Sequence, residues 1–170
     1  PSVQQQWREP QAFAELRLPP VNPYIPSNLE LLAAAGDVPN LLAESEGLTA
    51  WHFPDTRFGV PKAHIIAALE TSGIDSPAMA APLQLYLAYI EDQLGASVYP
   101  ATEAGLDFSL QPSNKGFTLV IGGYSDRQLA LLEDILVALK TPQWDQARFD
   151  RIQQTMVREL NNFQREYPFR

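Results

Sequence analysis

A chain of 170 residues that is 45% hydrophobic is long enough for one domain and apolar enough to bury a core, which excludes wholesale disorder. Twelve basic against 20 acidic residues leave a net charge of -8, the wrong sign for a phosphate backbone, so nucleic acid is excluded as a partner. Zero cysteines remove disulfides, thiolate zinc clusters, iron–sulfur centres and cysteine nucleophiles together, and no apolar run approaches the ~20 residues a membrane helix needs.

Residues Pro1 to Glu9 are polar and carry no apolar signal core, and a first residue other than Met points to a processed or excised chain. The first 26 residues hold six prolines (Pro1, Pro10, Pro19, Pro20, Pro23 and Pro26). Proline fixes φ and lacks an N–H, so residues 1–28 read as an extended linker, or as a strap laid across something. Between Ser27 and Thr56 stand five carboxylates (Glu30, Asp37, Glu44, Glu46 and Asp55) and no Lys or Arg. This stretch reads as a solvated face rather than a cation-attracting one.

Leu41 to Glu46 suits a short helix or a turn. After Gly47, Thr49, Trp51 and Phe53 alternate with Leu48, Ala50 and His52, a strand that ends at Pro54. A second strand runs Ala63 to Thr71. Apolar residues occupy both of its faces, so it is expected to be buried on both sides. Ser76-Pro77 supplies an N-cap and a first-position proline, and Met79, Leu83, Tyr86, Leu87, Ile90, Leu94 and Val98 then share one helical face. Pro82 offers a later start and Pro100 an end or kink.

A hairpin follows, with Leu106, Phe108 and Leu110 on one strand, a turn over Gln111–Gly116, and Phe117, Leu119 and Ile121 on the other. Gly122-Gly123 should break it. Ser125-x-x-Gln128 reads as a capping box opening a helix with Leu129, Leu132, Ile135, Leu136 and Leu139 inward. Pro142 stops that helix. The last helix carries Phe149, Ile152, Met156, Leu160 and Phe163 on one face and Arg151, Arg158 and Arg165 about opposite, until Pro168. The order is β-β-α-β-β-α-α, an α+β fold of an antiparallel sheet with helices packed on one face.

Catalytic constellations are missing from this pattern. His52 and His64 lie on different expected strands, and no third or fourth ligand accompanies them, so each reads as a strand-face histidine rather than half of a metal site. Inverted-zincin and zincin helices, the Gly-x-Ser-x-Gly elbow, the dinucleotide fingerprint and the Walker loop are all absent. Adjacent carboxylates at Glu91-Asp92 and Glu133-Asp134 diverge by about 100° on a helix and do not converge on a substrate. No catalytic, cofactor-binding or metal-binding residue is assigned. Arg151, Arg158 and Arg165 are candidates for an interdomain interface, set against a solvated face.

Several segments resemble one family in order. Leu18-Pro-Pro-Val-Asn-Pro-Tyr-Ile-Pro-Ser-Asn28 is similar to the proline-rich crossing between the two halves of insulinase/pitrilysin-type inverted-zincin metallopeptidases, peptidase M16. Trp51-His-Phe-Pro-Asp-Thr-Arg-Phe-Gly-Val-Pro-Lys62 looks like its strand–turn–strand. Glu103-Ala-Gly-Leu-Asp-Phe-Ser109 with Val120-Ile-Gly-Gly-Tyr124 looks like its hairpin, and Leu160-Asn-Asn-Phe163 with Pro168 like the end of its long helix.

The resemblance implies a protease of four related α+β domains, of which only the first binds zinc, through His-x-x-Glu-His on a helix and a later Glu. In this chain the corresponding helix, near Ala81–Tyr89, has neither His nor Glu, and Glu159 stands alone on the later one. The implied identity is the third, inactive middle domain, with residues 1–28 as interdomain linker and 29–170 as the domain's first half, excised from a longer chain. The parent would close two halves around a peptide, with zinc held by its first domain and none by this one. Its partners would be other domains of the same chain and the peptide substrate, in the periplasm or alternatively the cytoplasm. A free-standing inactive partner subunit and an unrecognised carboxylate hydrolase are the rival readings.

Overall fold

The apolar stripe from Met79 to Val98 forms the longest element of the molecule. A computed structural model describes residues 19–31, 36–74 and 76–163. In chain order these form β1 (Asn40–Ser45), β2 (Leu48–His52), β3 (Lys62–Glu70), α1 (Pro77–Glu103), β4 (Leu106–Ser113) and β5 (Gly116–Tyr124). A single 3-10 turn (Ser125–Arg127), α2 (Gln128–Lys140) and α3 (Gln146–Phe163) complete them. The class is α+β, with one strand more than the sequence pattern indicates. That strand is β1, in place of the short helix or turn expected at Leu41–Glu46. The run Leu41-Leu42-Ala43 has no period of its own, and pairing with β2 decides its state.

Helix α1 begins where expected. Ser76 is its extended N-cap residue and Pro77 takes the first helical place, although the Ser76 hydroxyl makes no capping bond. Neither Pro82 nor Pro100 bounds the helix; both lie inside it. A proline removes one intrahelical hydrogen bond and crowds the turn before it. Here Leu87, Ile90, Leu94, Val98 and Ala101, each 5% exposed or less, hold the helix against the core.

The strands divide into two sheets, a β1–β2 hairpin and a three-stranded antiparallel sheet ordered β3-β5-β4. In the larger sheet Ile65, Ile121 and Phe108 stand abreast, as do Ala67, Leu119 and Leu110. These rows face the helices, and Leu119 and Ile121 are fully buried. The intervening rows, His64–Gly122–Asp107 and Ile66–Val120–Ser109, lie on the other face. Ile66 is 70% exposed, so β3 is not buried on both sides as expected. It is an edge strand with one face on the core, because the three helices cover a single side of the sheet.

Three further expectations shift. The hairpin turn is only Asn114-Lys115, since Ser113 still pairs with Gly116 and Pro112 sits on the outer edge strand β4, where a missing N–H is tolerated. Gly122-Gly123 does not break β5 but lets its neighbours approach. A Cβ on Gly122 would fall 2.8 Å from the Asp107 carboxylate, and one on Gly123 (φ +111°) 2.1 Å from the Gly105 carbonyl oxygen. The capping box also fails. Gln128 is 3% exposed and turns inward, its Nε2 donating to the carbonyls of Ala63 at 2.6 Å and Gly123 at 3.1 Å. That rotation sets the inward face of α2 as Gln128, Leu131, Ile135 and Ala138, and leaves Leu129 66% exposed.

These contacts separate two glycine substitutions by sign. Gly123→Ala should lower unfolding free energy by roughly 2–4 kcal/mol through strain and overlap with backbone. Gly95→Ala, at an exposed helical position with nothing near its Cβ, should raise it by roughly 0.5–1 kcal/mol. Urea denaturation followed by far-UV circular dichroism checks both.

Candidate functional site

The chemistry weighed in the sequence does not assemble. His52 ends β2 and His64 lies in β3, in separate sheets, and both are exposed. Among the described residues no group of three or more His, Cys, Asp or Glu side chains could hold a metal ion. The stretch of α1 over Ala81–Tyr89 contains no ligand side chain, and Glu159 is exposed on α3. The described residues therefore do not fit zinc.

Three of the four paired carboxylates serve the fold instead. Glu91 Oε1 accepts from the backbone N–H of Leu110 at 2.9 Å and ties α1 to β4. Asp92 accepts from Arg151 Nη2 at 2.8 Å and lies 3.1 Å from Arg148 Nε, tying α1 to α3. Asp134 on α2 accepts a hydrogen bond of 2.5 Å from the hydroxyl of Tyr24.

Of the arginine row, Arg151 is thus engaged within the domain. Among the described residues Arg158 reaches only its own helix, donating to Thr155 Oγ1 at 3.1 Å. Arg165 lies outside the described residues. Arg148 belongs to this latch and was missed; its spacing of three from Arg151 was the available signal, one helical turn on the same side. The approach to α3 is latched as well. Trp144 stacks on Tyr89 (5.3 Å between centroids) and meets Phe149 at 4.9 Å. The Tyr89 hydroxyl donates to the Gln143 carbonyl and accepts from the Asp145 N–H, both at 2.6 Å.

The strap is laid on the domain at three points. Asn22 Nδ2 donates to the Pro100 carbonyl at 2.7 Å, near the end of α1. Tyr24 is 4% exposed and joins the core. Asp126 Oδ2 accepts from the backbone N–H groups of Ser27 at 2.8 Å and Asn28 at 3.3 Å. Burial, then the hydrogen bond to Asp134 and its negative charge, push the Tyr24 phenol up to about 12. The backbone hydrogen bond from Ser27, chiefly, holds the Asp126 carboxyl below its usual range against an opposing desolvation. An aromatic residue inside the proline-rich segment was the readable sign of docking.

Three apolar surfaces stay open. Leu41, Leu48, Trp51 and Phe53 on and beside the β1–β2 hairpin are about half exposed or more. Ile66 stands on the bare face of the sheet. On α3 the expected apolar face is only half used: Phe149 and Ile152 pack on the core, whereas Leu160 and Phe163 are 57% and 75% exposed. Such an arrangement offers surfaces to other protein rather than a reaction centre.

The comparisons with known proteins follow the same line. The family model described as "Middle or third domain of peptidase_M16" matches residues 1–170. The insulin-degrading enzymes of Bos taurus and Homo sapiens are each 32% identical over 174 residues, covering 98% of this chain and 17% of their own length. A crystal structure of pitrilysin superposes with a TM-score of 0.78 at 23% identity, over 86% of this chain and 16% of that one. At that identity the last likeness concerns the fold alone. The chain thus spans a small part of the proteins it matches.

The strap should respond to pH in two windows. Below the unfolded value of about 4 for Asp, the stabilisation from Asp126 is lost as pH falls through its lowered folded value. Hydrogen exchange at the Ser27 and Asn28 amides should then rise toward the intrinsic rate, and Asp126→Asn should remove that dependence. Stabilisation through Tyr24 is complete below about pH 10 and lost as pH rises toward 12. Tyr24→Phe should cost about 1 kcal/mol at neutral pH, measured by urea denaturation.

Proposed function

The chain belongs to the family of middle or third domains of peptidase M16, and on that premise we propose that it forms a non-catalytic wall and scaffold of a zinc metalloendopeptidase. The observation that carries this reading is the family match across residues 1–170 of a chain whose described residues hold no metal-ligand cluster. The insulin-degrading enzymes it is similar to extend far beyond the matched part, which supports a larger polypeptide around this domain. Zinc is assigned to another domain of that polypeptide, and peptide hydrolysis to the whole.

The contribution of these residues is geometric. Helices α1, α2 and α3 rigidify one side of the sheet, and the strap fixes the path by which the chain enters the domain. The open hairpin, bare sheet face and far half of α3 are the surfaces available to neighbouring domains and to an enclosed peptide. Arg158, whose only described hydrogen bond stays on its own helix, is the better candidate of the arginine row for docking. Arg151 is committed to Asp92. A periplasmic location is proposed alongside, tested by fractionation of the producing cell.

The full-length protein carrying this domain should hydrolyse a quenched fluorogenic peptide, lose that activity to a chelator and regain it with zinc. The 170-residue chain alone, supplied with zinc, should show no turnover. Turnover by the isolated chain that falls with Glu103→Gln would overturn the non-catalytic assignment. Absence of a His-x-x-Glu-His helix elsewhere in the full-length protein would instead make the chain part of an inactive partner subunit. Arg158→Glu should weaken association of the parent's two halves severalfold, and Arg151→Glu should chiefly lower thermal stability.

A further inference from the structure

The least supported part of the molecule is the β1–β2 hairpin. A two-stranded sheet alone is marginal in water and needs a third strand or a helix against it. Here every residue of both strands is exposed except Ala50, which is half-buried. No helix or further strand among the described residues packs on it by more than marginal contact. The residues are nevertheless those of a buried strand pair. Leu41 stands directly across from Trp51, 46% and 62% exposed, and Leu42, Leu48, Phe53 and Phe58 are 67%, 56%, 55% and 73% exposed. Leu41 and Trp51 share one face of the hairpin and Leu48 lies on the other. Monomeric proteins seldom leave both faces of a strand pair with large apolar side chains in solvent, and tryptophan is a frequent anchor of protein interfaces.

The charge around this patch selects what covers it. Glu44 and Glu46 rim the hairpin, and no Lys or Arg occurs from Ser27 to Thr56. Asp55 already has a cation, Arg57 Nη2 at 2.7 Å, whereas no described Lys or Arg lies in salt-bridge range of Glu44 or Glu46. A second copy would bring like carboxylates together, in a chain of net charge -8. Anionic lipid headgroups would meet the same repulsion. A protein surface with an apolar centre and basic rim is complementary on both counts.

We propose that the β1–β2 hairpin with Phe53 and Phe58 is a docking surface for another domain of the same polypeptide, one presenting an apolar patch rimmed by Lys or Arg. The proposal rests on the reading of the chain as one domain of a larger peptidase. It adds which surface meets a neighbour and the chemistry of that neighbour. Trp51 and Leu41 form the anchor. Glu44 and Glu46 orient the approach and set its salt dependence.

Hydrogen exchange read by mass spectrometry over residues 40–58 tests this, comparing the full-length protein with the 170-residue chain. Expected is exchange slower by about tenfold or more in the full-length protein. Glu44→Lys with Glu46→Lys, at exposed positions that leave the core intact, should return it to the rate of the isolated chain. Equal exchange in the two proteins overturns the docking surface. Protection that survives the double charge reversal overturns the basic rim. Protection in the isolated chain that grows with its concentration assigns the surface to a second copy and overturns the proposal. Peptide hydrolysis is measured on the same full-length sample. Inactivity with a protected hairpin counts against the peptidase reading alone, and activity with an unprotected hairpin counts against the docking surface alone.

Discussion

The buried stripe of helix α1 is what β4, α2 and α3 are placed against. Leu87, Ile90 and Leu94 are almost wholly out of water and pack with Leu119 and Ile121 of the central strand. Burial of such side chains stabilises by about 1.5–3 kcal/mol each, against roughly 0.5–1.5 kcal/mol for a typical neutral hydrogen bond. The polar contacts made by the same helix set position instead. Glu91 registers β4, Asp92 registers α3, the Tyr86 hydroxyl donates to the Leu139 carbonyl of α2 at 2.5 Å, and the Pro100 carbonyl receives the strap. The Asp92–arginine pairs are partly exposed and contribute up to about 1 kcal/mol each, so they choose an angle rather than hold the helices together.

A consequence of one dominant helix layer is that the sheet has a covered side and a bare one. Three helices suffice for the face carrying Ile65, Leu119 and Leu110, and none remains for the face carrying Ile66. The same shortage leaves the β1–β2 hairpin and the far half of α3 in solvent. For an isolated domain these are liabilities of the kind that lead to association. For a middle domain they are surfaces open to neighbours. The absence of a catalytic set from the sequence pattern and the abundance of open apolar surface describe one role from two sides.

Legibility followed the strength of local signals. The period of α1 was plain because seven apolar residues repeat over about five turns, and the β4–β5 alternation was plain for the same reason. The phase of α2 was not. Leucines at 129, 131, 132, 136 and 139 allow more than one inward face, and the choice fell to Gln128, whose amide satisfies two sheet carbonyls. Gly122-Gly123 read as a break because glycine is scarce in strands, whereas here its missing side chain admits Asp107 and the Gly105 carbonyl. The arginine row was visible as a spacing, yet spacing does not show that Asp92 lies across from it.

By itself the sequence determined the α+β class, the long helix, the central hairpin and the family. Each of these depends on residues near one another in the chain, or on residue types that are simply present or missing. Only the tertiary structure decided which sheet face is covered, that Leu41–Glu46 is a strand, that the strap is anchored by Tyr24, and that Arg151 is already engaged. The last two depend on partners 110 and 59 residues away, Asp134 for Tyr24 and Asp92 for Arg151. Local periodicity carries no information at that range, because packing rather than propensity selects between patterns that are locally equivalent.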